Sequence, residues 1–431
     1  MGRKRWRWSQ LISWGQATWR LNSHGFFGQQ HFRRYMRSTL ACIAVFVGLC
    51  PSITSSQDAN DRAHHIQNNV LGIDGHNDTV QRVVYENVDL GNRLSDGMID
   101  IPRLHAGGVH VPFFALWVPT YYKGSEAVRR TLDLRDAMQR VLDKHPDQIE
   151  LATSARDIER IVGQSKIAAV LTVEGGHQIA NDLAVLRMYR RMGILSMTLT
   201  HFRSNDWADS STGKPEHNGL TDFGKQVVHE MNAIGMMNSI GMIVDISHVS
   251  DKTFYDVLQV TSKPVIASHS SCRSMSDVPR NMTDDMLRAL ARNGGVVGVN
   301  FAASFLNQQD AEELKRKVSN ENALEPNLAG TELDQFAAKE YFEDKGEFKV
   351  GHATVEDAAK CIDHIVKIAG IEHVGIGSDF DGITLVPYDL EDVSKIPNLT
   401  ATLLNRGYSE DDIKKIMGEN FLRVIREVVG N

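Results

Sequence analysis

Two hydrophobic rhythms alternate along the chain. Short apolar runs of seven to eleven residues, bounded by turn-forming residues, recur eight times. They are VLGIDGHND (70–78), VHVPFFALWV (109–118), IAAVLTVEGGH (167–177), ILSMTLTH (194–201), MIVDISHV (242–249), PVIASHSS (264–271), GVVGVNF (295–301) and HVGIGSDFDG (373–382). Between them, apolar residues return at helical intervals. SEAVRRTLDLRDAMQRVLDKH (125–145) and DFGKQVVHEMNAIG (222–235) are examples, the second closed by a glycine. In MTDDMLRALARNGG (282–295), Thr283 stands where a helix cap belongs, with acids in the first turn and glycines at the end.

Strand then helix, eight times over, predicts a parallel sheet. Eight units in 431 residues favour a closed, TIM-like (β/α)8 barrel over an open doubly wound sheet. A polar, charged stretch at about 303–350 follows the seventh strand. Its mostly helical pattern reads as an insertion in the barrel, so residues 57–431 are expected to form one domain.

The polar residues that end these runs change the picture. In a (β/α)8 enzyme the active site gathers at the C-terminal ends of the strands. There the first run supplies His76 and Asp78, the third Glu174, the fourth His201, the fifth His248, the sixth His269 and the eighth Asp379 and Asp381. Six of eight strands thus deliver a titratable side chain to one rim. Residues at i and i+2 of a strand share a face, so His76 and Asp78 are expected to point together. Imidazole with carboxylate suits Zn²⁺ and similar cations, and a carboxylate can bridge two of them. The predicted ligands are His76, Asp78, Glu174, His248 and His269, with Asp74 behind them and Asp381 a buttress of its loop. DFDG (379–382) lacks the further acids of a calcium loop. His105, His110, His177, His217 and His352 are assigned no role.

Charge and composition narrow the class. Hydrophobic content of 42% and charged content of 23% fit an ordinary globular domain. Residues 1–56 hold eight of the 47 Lys/Arg and no acid, which leaves 39 basic against 54 acidic residues beyond them, a net of −15. An acidic body without a basic stripe argues against a nucleic-acid partner. Within the N-terminal segment, MRSTLACIAVFVGLCPSITSS (36–56) has a basic start, an apolar run from Leu40 to Leu49 and small residues after it. That is the layout of a secretory signal peptide, too short to span a bilayer, and it makes Met36 a candidate start. The expected location is periplasmic or secreted, with a membrane tether through an uncleaved segment as the alternative. Leu49 before Cys50 argues against a lipoprotein signal. Beyond residue 56 only Cys272 and Cys361 remain, too few for a disulfide framework; they either pair or stay buried as thiols. No apolar tail follows Val429, so no C-terminal lipid anchor is expected.

The strings IDGHNDT, VEGGH, LTHFRSNDWADS, GLTDFGKQVV, MIVDISHVSD, PVIASHSSCRSMSDVPRNMTDDML, VGIGSDFDG and LEDVSKIPNLTATLLNRGYSEDDIKKIMGENFLRV occur in that order between residues about 70 and 427. Together they resemble the zinc-dependent membrane (renal) dipeptidases, including their bacterial members. The resemblance implies a metal-dependent amidohydrolase barrel that hydrolyses dipeptides with a hydroxide held between two zinc ions. It implies that His76 and Asp78 bind one zinc, that Glu174 bridges both, and that His248 and His269 bind the second. It implies that His201 faces the substrate and helps hold the oxyanion, that Arg280 binds the substrate carboxylate, and that Asp379 handles the protons of water and leaving amine. Tolerance of a C-terminal D-residue and a homodimer are implied as well. Alternatives are an N-acyl-D-amino acid deacylase or other amidohydrolase on the same metals, and, from another class, a binding protein on a dead barrel. Completeness of the site argues against the last. The stretch 303–350 matches no string of the family and follows a strand end, so it is expected to reshape the pocket mouth.

Overall fold

The computed structural model describes residues 54–233, 241–317, 326–344 and 349–430. The expected targeting segment lies almost wholly outside these residues, as does the glycine expected to close the 222–235 helix. Residues 56–431 form one compact unit.

All eight apolar runs contain strands. They are β1 (Ile73–Asn77), β2 (Val111–Trp117), β4 (Ile167–Glu174), β5 (Ile194–Thr198), β6 (Ile243–Asp245), β7 (Ile266–Ser270), β8 (Val296–Val299) and β10 (Val374–Ile376). Every neighbour pair is parallel, and β10 returns to β1, so the sheet closes in the order β1-β2-β4-β5-β6-β7-β8-β10. Closure leaves no exposed sheet edge in the barrel. Three strands are additions to the expected plan. The short β3 (Ile149–Leu151) pairs with the start of β4. Outside the barrel, β9 (Lys349–Thr354) and β11 (Leu385–Tyr388) make a small parallel pair. The 303–350 stretch is helical over Ala303–Leu306, Gln308–Lys317 and Gly330–Asp344, and then enters β9.

Local chemistry sets these boundaries. Thr283 accepts from the Met286 amide, and Gly294 closes the same helix in the left-handed region (φ 82°). Along β4 two cores alternate. Ala168 and Val170 join one, whereas Ala169, Leu171 and Val173 join the layer shared with the helices. The first of these cores gathers the residues that open the strands, namely Ile73, Val111, Ile243, Ile266 and Val296, around Phe421 and Val424 of the C-terminal helix. One mouth of the barrel is thus plugged with apolar side chains. The other mouth is left for polar ones.

Close approach matters at Gly377, just past β10. A methyl group there would lie 1.8 Å from the Ser268 carbonyl oxygen of β7. Backbone cannot yield as a flexible side chain can, so Gly377→Ala is expected to destabilise the barrel by about 3 kcal/mol. A denaturant melt of the variant checks this, and an unchanged midpoint would contradict the close packing of these strands.

Candidate metal centre

The open mouth collects the residues singled out in the sequence. Glu174, the last residue of β4, is 2% exposed and lies among four imidazoles. Its Oε1 is 3.0 Å from His248 Nε2, 3.4 Å from His269 Nε2 and 3.7 Å from His201 Nε2. Its Oε2 is 3.5 Å from His76 Nε2, which is 3.4 Å from Asp78 Oδ2 and 4.0 Å from Asp379 Oδ1. His248 and His269 approach each other to 2.9 Å through their Nε2 atoms.

The chain turns sharply to achieve this. His248 and Asp379 sit three residues beyond β6 and β10 with φ of 68° and 64°. Such backbone costs roughly 1 kcal/mol or more and persists only where neighbours fix it. Here the Ser211 amide donates to the His248 carbonyl (2.7 Å), and the Asp379 amide donates to the His76 carbonyl (3.0 Å). Asp74 lies behind the cluster: its two oxygens accept from the Ser378 amide and hydroxyl, both at 2.7 Å. Asp381 accepts from Thr79 Oγ1 and the Met98 amide, both at 2.8 Å, and so braces its loop. This resolves IDGHND physically: Asp74 holds the neighbouring strand's extension, while His76 and Asp78 face the cluster.

The electrostatics are those of a site short of positive charge. Burial pushes the Asp379 carboxyl up to about 6 and raises Asp78, which also feels Glu174. Burial opposes a proton on His76, but the negative charges of Glu174 and Asp78 beside it outweigh that and hold the ring well above its usual range. Burial, and the Arg280 and histidine charges nearby, hold His201, His248 and His269 well below theirs, so these rings are neutral. Neutral imidazole and carboxylate are the forms that bind metal. His76 Nε2 and Asp78 Oδ1 are buried with no hydrogen-bond partner. Among the described residues, three groups bring donor atoms within 4.8 Å of one another: His76–Asp78–Glu174, Glu174–His248–His269, and His76–His269–Asp379. The first two share only Glu174. The donor set therefore fits one or two cations of the Zn²⁺ type.

Four further residues, Ser268, Asp245, Asn300 and Trp117, support the cluster, and sequence reasoning passed over them. Ser268 Oγ donates to Asp245 Oδ2 (2.5 Å) and lies 2.8 Å from His269 Nδ1. With its own proton given to Asp245, the hydroxyl accepts from Nδ1–H, which leaves His269 Nε2 bare and aimed at Glu174. Asn300 Nδ2 donates to Asp379 Oδ2 (2.8 Å). Trp117 Nε1 donates to His201 Nδ1 (3.2 Å). Indole nitrogen only donates, so the neutral His201 ring carries its proton on Nε2. The signal for Trp117 and Asn300 was their position: they end or follow β2 and β8, the two strands without a titratable residue at the rim.

Arg280 comes from the loop after β7 and is 6% exposed. Nη2 donates to the His269 carbonyl (3.1 Å), and Nε has no partner. Burial lowers its guanidinium to about 10. No carboxylate among the described residues lies within ion-pair distance of it. A buried guanidinium with spare donors is costly unless an anion completes it. The unassigned histidines stay outside the metal groups: His110 accepts from the Gly72 amide, His217 meets the Asn205 carbonyl and His352 pairs with Asp310.

The chain is similar to known proteins. The family described as Membrane dipeptidase (Peptidase family M19) matches residues 60–430. The dipeptidase tcpJ of Claviceps purpurea is 34% identical over 371 residues, covering 82% of this chain and 76% of its own. Among solved structures, the probable dipeptidase PvdM of Pseudomonas aeruginosa superposes with a TM-score of 0.70 at 25% identity, covering 87% of this chain and 99% of its own. A metallopeptidase of Rhodobacter sphaeroides, solved with a phosphinate mimic of the dipeptide L-Ala-D-Ala, shares the fold with a TM-score of 0.67 at 23% identity, covering 83% of this chain and 99% of its own. With a family match over residues 60–430 and the polar cluster where such a barrel does its chemistry, this chain belongs to the membrane dipeptidase family of peptide-bond hydrolases.

Proposed function

We propose that the protein hydrolyses dipeptides at a pair of zinc ions and accepts a D-residue at the C-terminal position. The observation that carries this is Glu174, whose two oxygens face two separate ligand groups, His76 with Asp78 and His248 with His269. Glu174 would be shared by both ions. Bound there, the ions would supply an activated water and polarise the scissile carbonyl.

The chain's own residues do the rest. Arg280 holds the free carboxylate of the substrate through its unpaired donors, which favours short peptides. His201, with its proton fixed on Nε2 by Trp117, donates to the oxygen that gains charge in the transition state. Asp379, held by Asn300, accepts the proton of the attacking water and returns it to the departing amine. The ligand of the Rhodobacter relative supports a D-residue in second position. The signal-like layout of 36–56 supports export, and the family resemblance supports a dimer.

About two zincs per chain and chelator-sensitive cleavage of L,L- and L,D-dipeptides are the expected results of metal analysis and assay on one purified sample. Metal without dipeptide cleavage, but with release from N-acyl-D-amino acids, would replace this reading with a deacylase. Arg280→Ala is expected to raise KM roughly 10²-fold with zinc retained; loss of zinc would reassign the residue. Asp379→Asn is expected to lower kcat by ~10²- to 10⁴-fold at constant metal content, and an undiminished rate would remove it from proton transfer. Trp117→Phe frees His201 Nδ1 and is expected to cost kcat about tenfold, the worth of one hydrogen bond. Nitrogen NMR of His201 should then show the proton shared between both ring atoms; a ring still protonated on Nε2 alone contradicts the assigned role.

A further inference from the structure

Away from the metal groups, one pair of reactive side chains has no part in the proposed chemistry. Cys272 follows β7, three residues past His269. Cys361 lies in the helix Val355–Ala369, 89 residues further on. Both are 0% exposed. Their sulfur atoms are 2.7 Å apart, about 0.7 Å more than the ~2.05 Å of a disulfide bond.

Cys272 also stands at the base of the loop that carries Arg280. The loop closes on itself there: Cys272 bridges to Met282, the Arg273 amide donates to the Met282 carbonyl (2.8 Å), and Asn281 Nδ2 donates to the Cys272 carbonyl (3.3 Å). Fixing Cys272 therefore fixes the root of Arg280.

We propose that Cys272 and Cys361 are joined by a disulfide in the mature protein, and that this bond pins the Arg280 loop to the helix Val355–Ala369. The bond forms by exchange with a disulfide donor, either a small-molecule disulfide or a thiol–disulfide oxidoreductase. One cysteine thiolate attacks the donor, a mixed disulfide results, and the second thiolate displaces the donor's remaining thiol. The two cysteines lose two electrons and two protons, and the donor disulfide leaves as two thiols. Exchange needs access, so it precedes the final closure of the helix over the pair. Afterwards the same burial shields the bond from reductants.

The full chain produced in an oxidising and in a reducing compartment provides the test. Each sample is unfolded in guanidinium with iodoacetamide and no reductant, then digested and mapped, which separates Cys272 and Cys361 from Cys42 and Cys50. The expected result is a linked Cys272–Cys361 peptide from the oxidising sample alone. Alkylated Cys272 and Cys361 in that sample overturn the proposal. Reduction of the linked protein with a phosphine, which does not compete for zinc as a thiol does, is expected to lower the thermal midpoint by about 4 °C or more. The Cys272→Ala/Cys361→Ala protein should not respond to the phosphine. An unchanged wild-type midpoint after proven reduction overturns the pinning.

The effect on Arg280 rests on the dipeptidase reading. Reduction is expected to raise the dipeptide KM severalfold at constant zinc content with kcat retained. An unchanged KM overturns the link to Arg280. Absence of hydrolysis in both redox states counts against the dipeptidase reading and leaves the mapped bond standing.

Discussion

Glu174 is the constraint around which the open end of the barrel is arranged. A carboxylate at the end of a fully buried strand has lost its water, and here two more carboxylates, Asp78 and Asp379, stand within reach of the same His76 ring. Like charges at that spacing repel strongly where the dielectric is low. The surrounding histidines do not neutralise them, because burial keeps three of the four uncharged. Partly neutral donors, unpaired buried atoms and excess negative charge have one common remedy, a cation, which reverses the cost of every carboxylate that touches it. The two strained turns at His248 and Asp379 bring both side chains to this cluster, and such backbone persists only where its surroundings fix it.

The barrel divides the work between its strands. Six strands bring titratable groups to the mouth. The two that do not, β2 and β8, bring Trp117 and Asn300, and each holds one of the groups that would meet substrate. Asp245 does similar work one layer down, through Ser268, for His269. A metal ligand or proton donor needs a second partner to fix its orientation and tautomer. The strands supply those partners from positions adjacent to the ligands, so ligand and partner move together.

Much of this was legible in the sequence. The eight strands could be read because each was a short apolar run between helical patterns, and a parallel sheet buried on both faces requires such runs. His76, Asp78, Glu174, His201, His248, His269 and Asp379 were legible because a barrel concentrates polar residues at one end of its strands. Arg280 was not, since it stands on a loop with no periodicity; only resemblance to a family pointed to it. Trp117, Asn300 and Asp245 were invisible for another reason. Tryptophan in an apolar run reads as core, an asparagine at a strand end reads as a turn, and the aspartate of MIVDISHV reads as one more polar residue before its histidine. Their roles depend on which atom they face, and facing is set by twist and register. The strand β9 was missed because its partner, β11, lies beyond β10, and such pairing leaves no local trace.

The insertion is held to the barrel by contacts of another kind than those that hold the barrel together. The helix Gly330–Asp344 is tied by polar contacts to the segments that follow β1 and β2, including the helix Ser125–Lys144. Tyr121 donates to Glu340 (2.6 Å), Tyr122 donates to Asp334 (2.9 Å), Arg129 pairs with the same Asp334 (2.7 Å), and Tyr341 donates to Glu86. Arg129 and Asp334 are both about one-third exposed, and pairs of that kind contribute roughly 0–1 kcal/mol each. Apolar anchoring is limited, with Leu333 and Ala337 buried in the main core and Phe336 edge-on to Tyr121. The barrel beneath is held by continuous apolar layers and a closed ladder. Opening the helix therefore costs far less than opening the barrel. The helix and the cluster around Glu174 are thus stabilised by different forces, exposed polar contacts for the one and buried layers beneath a closed ladder for the other.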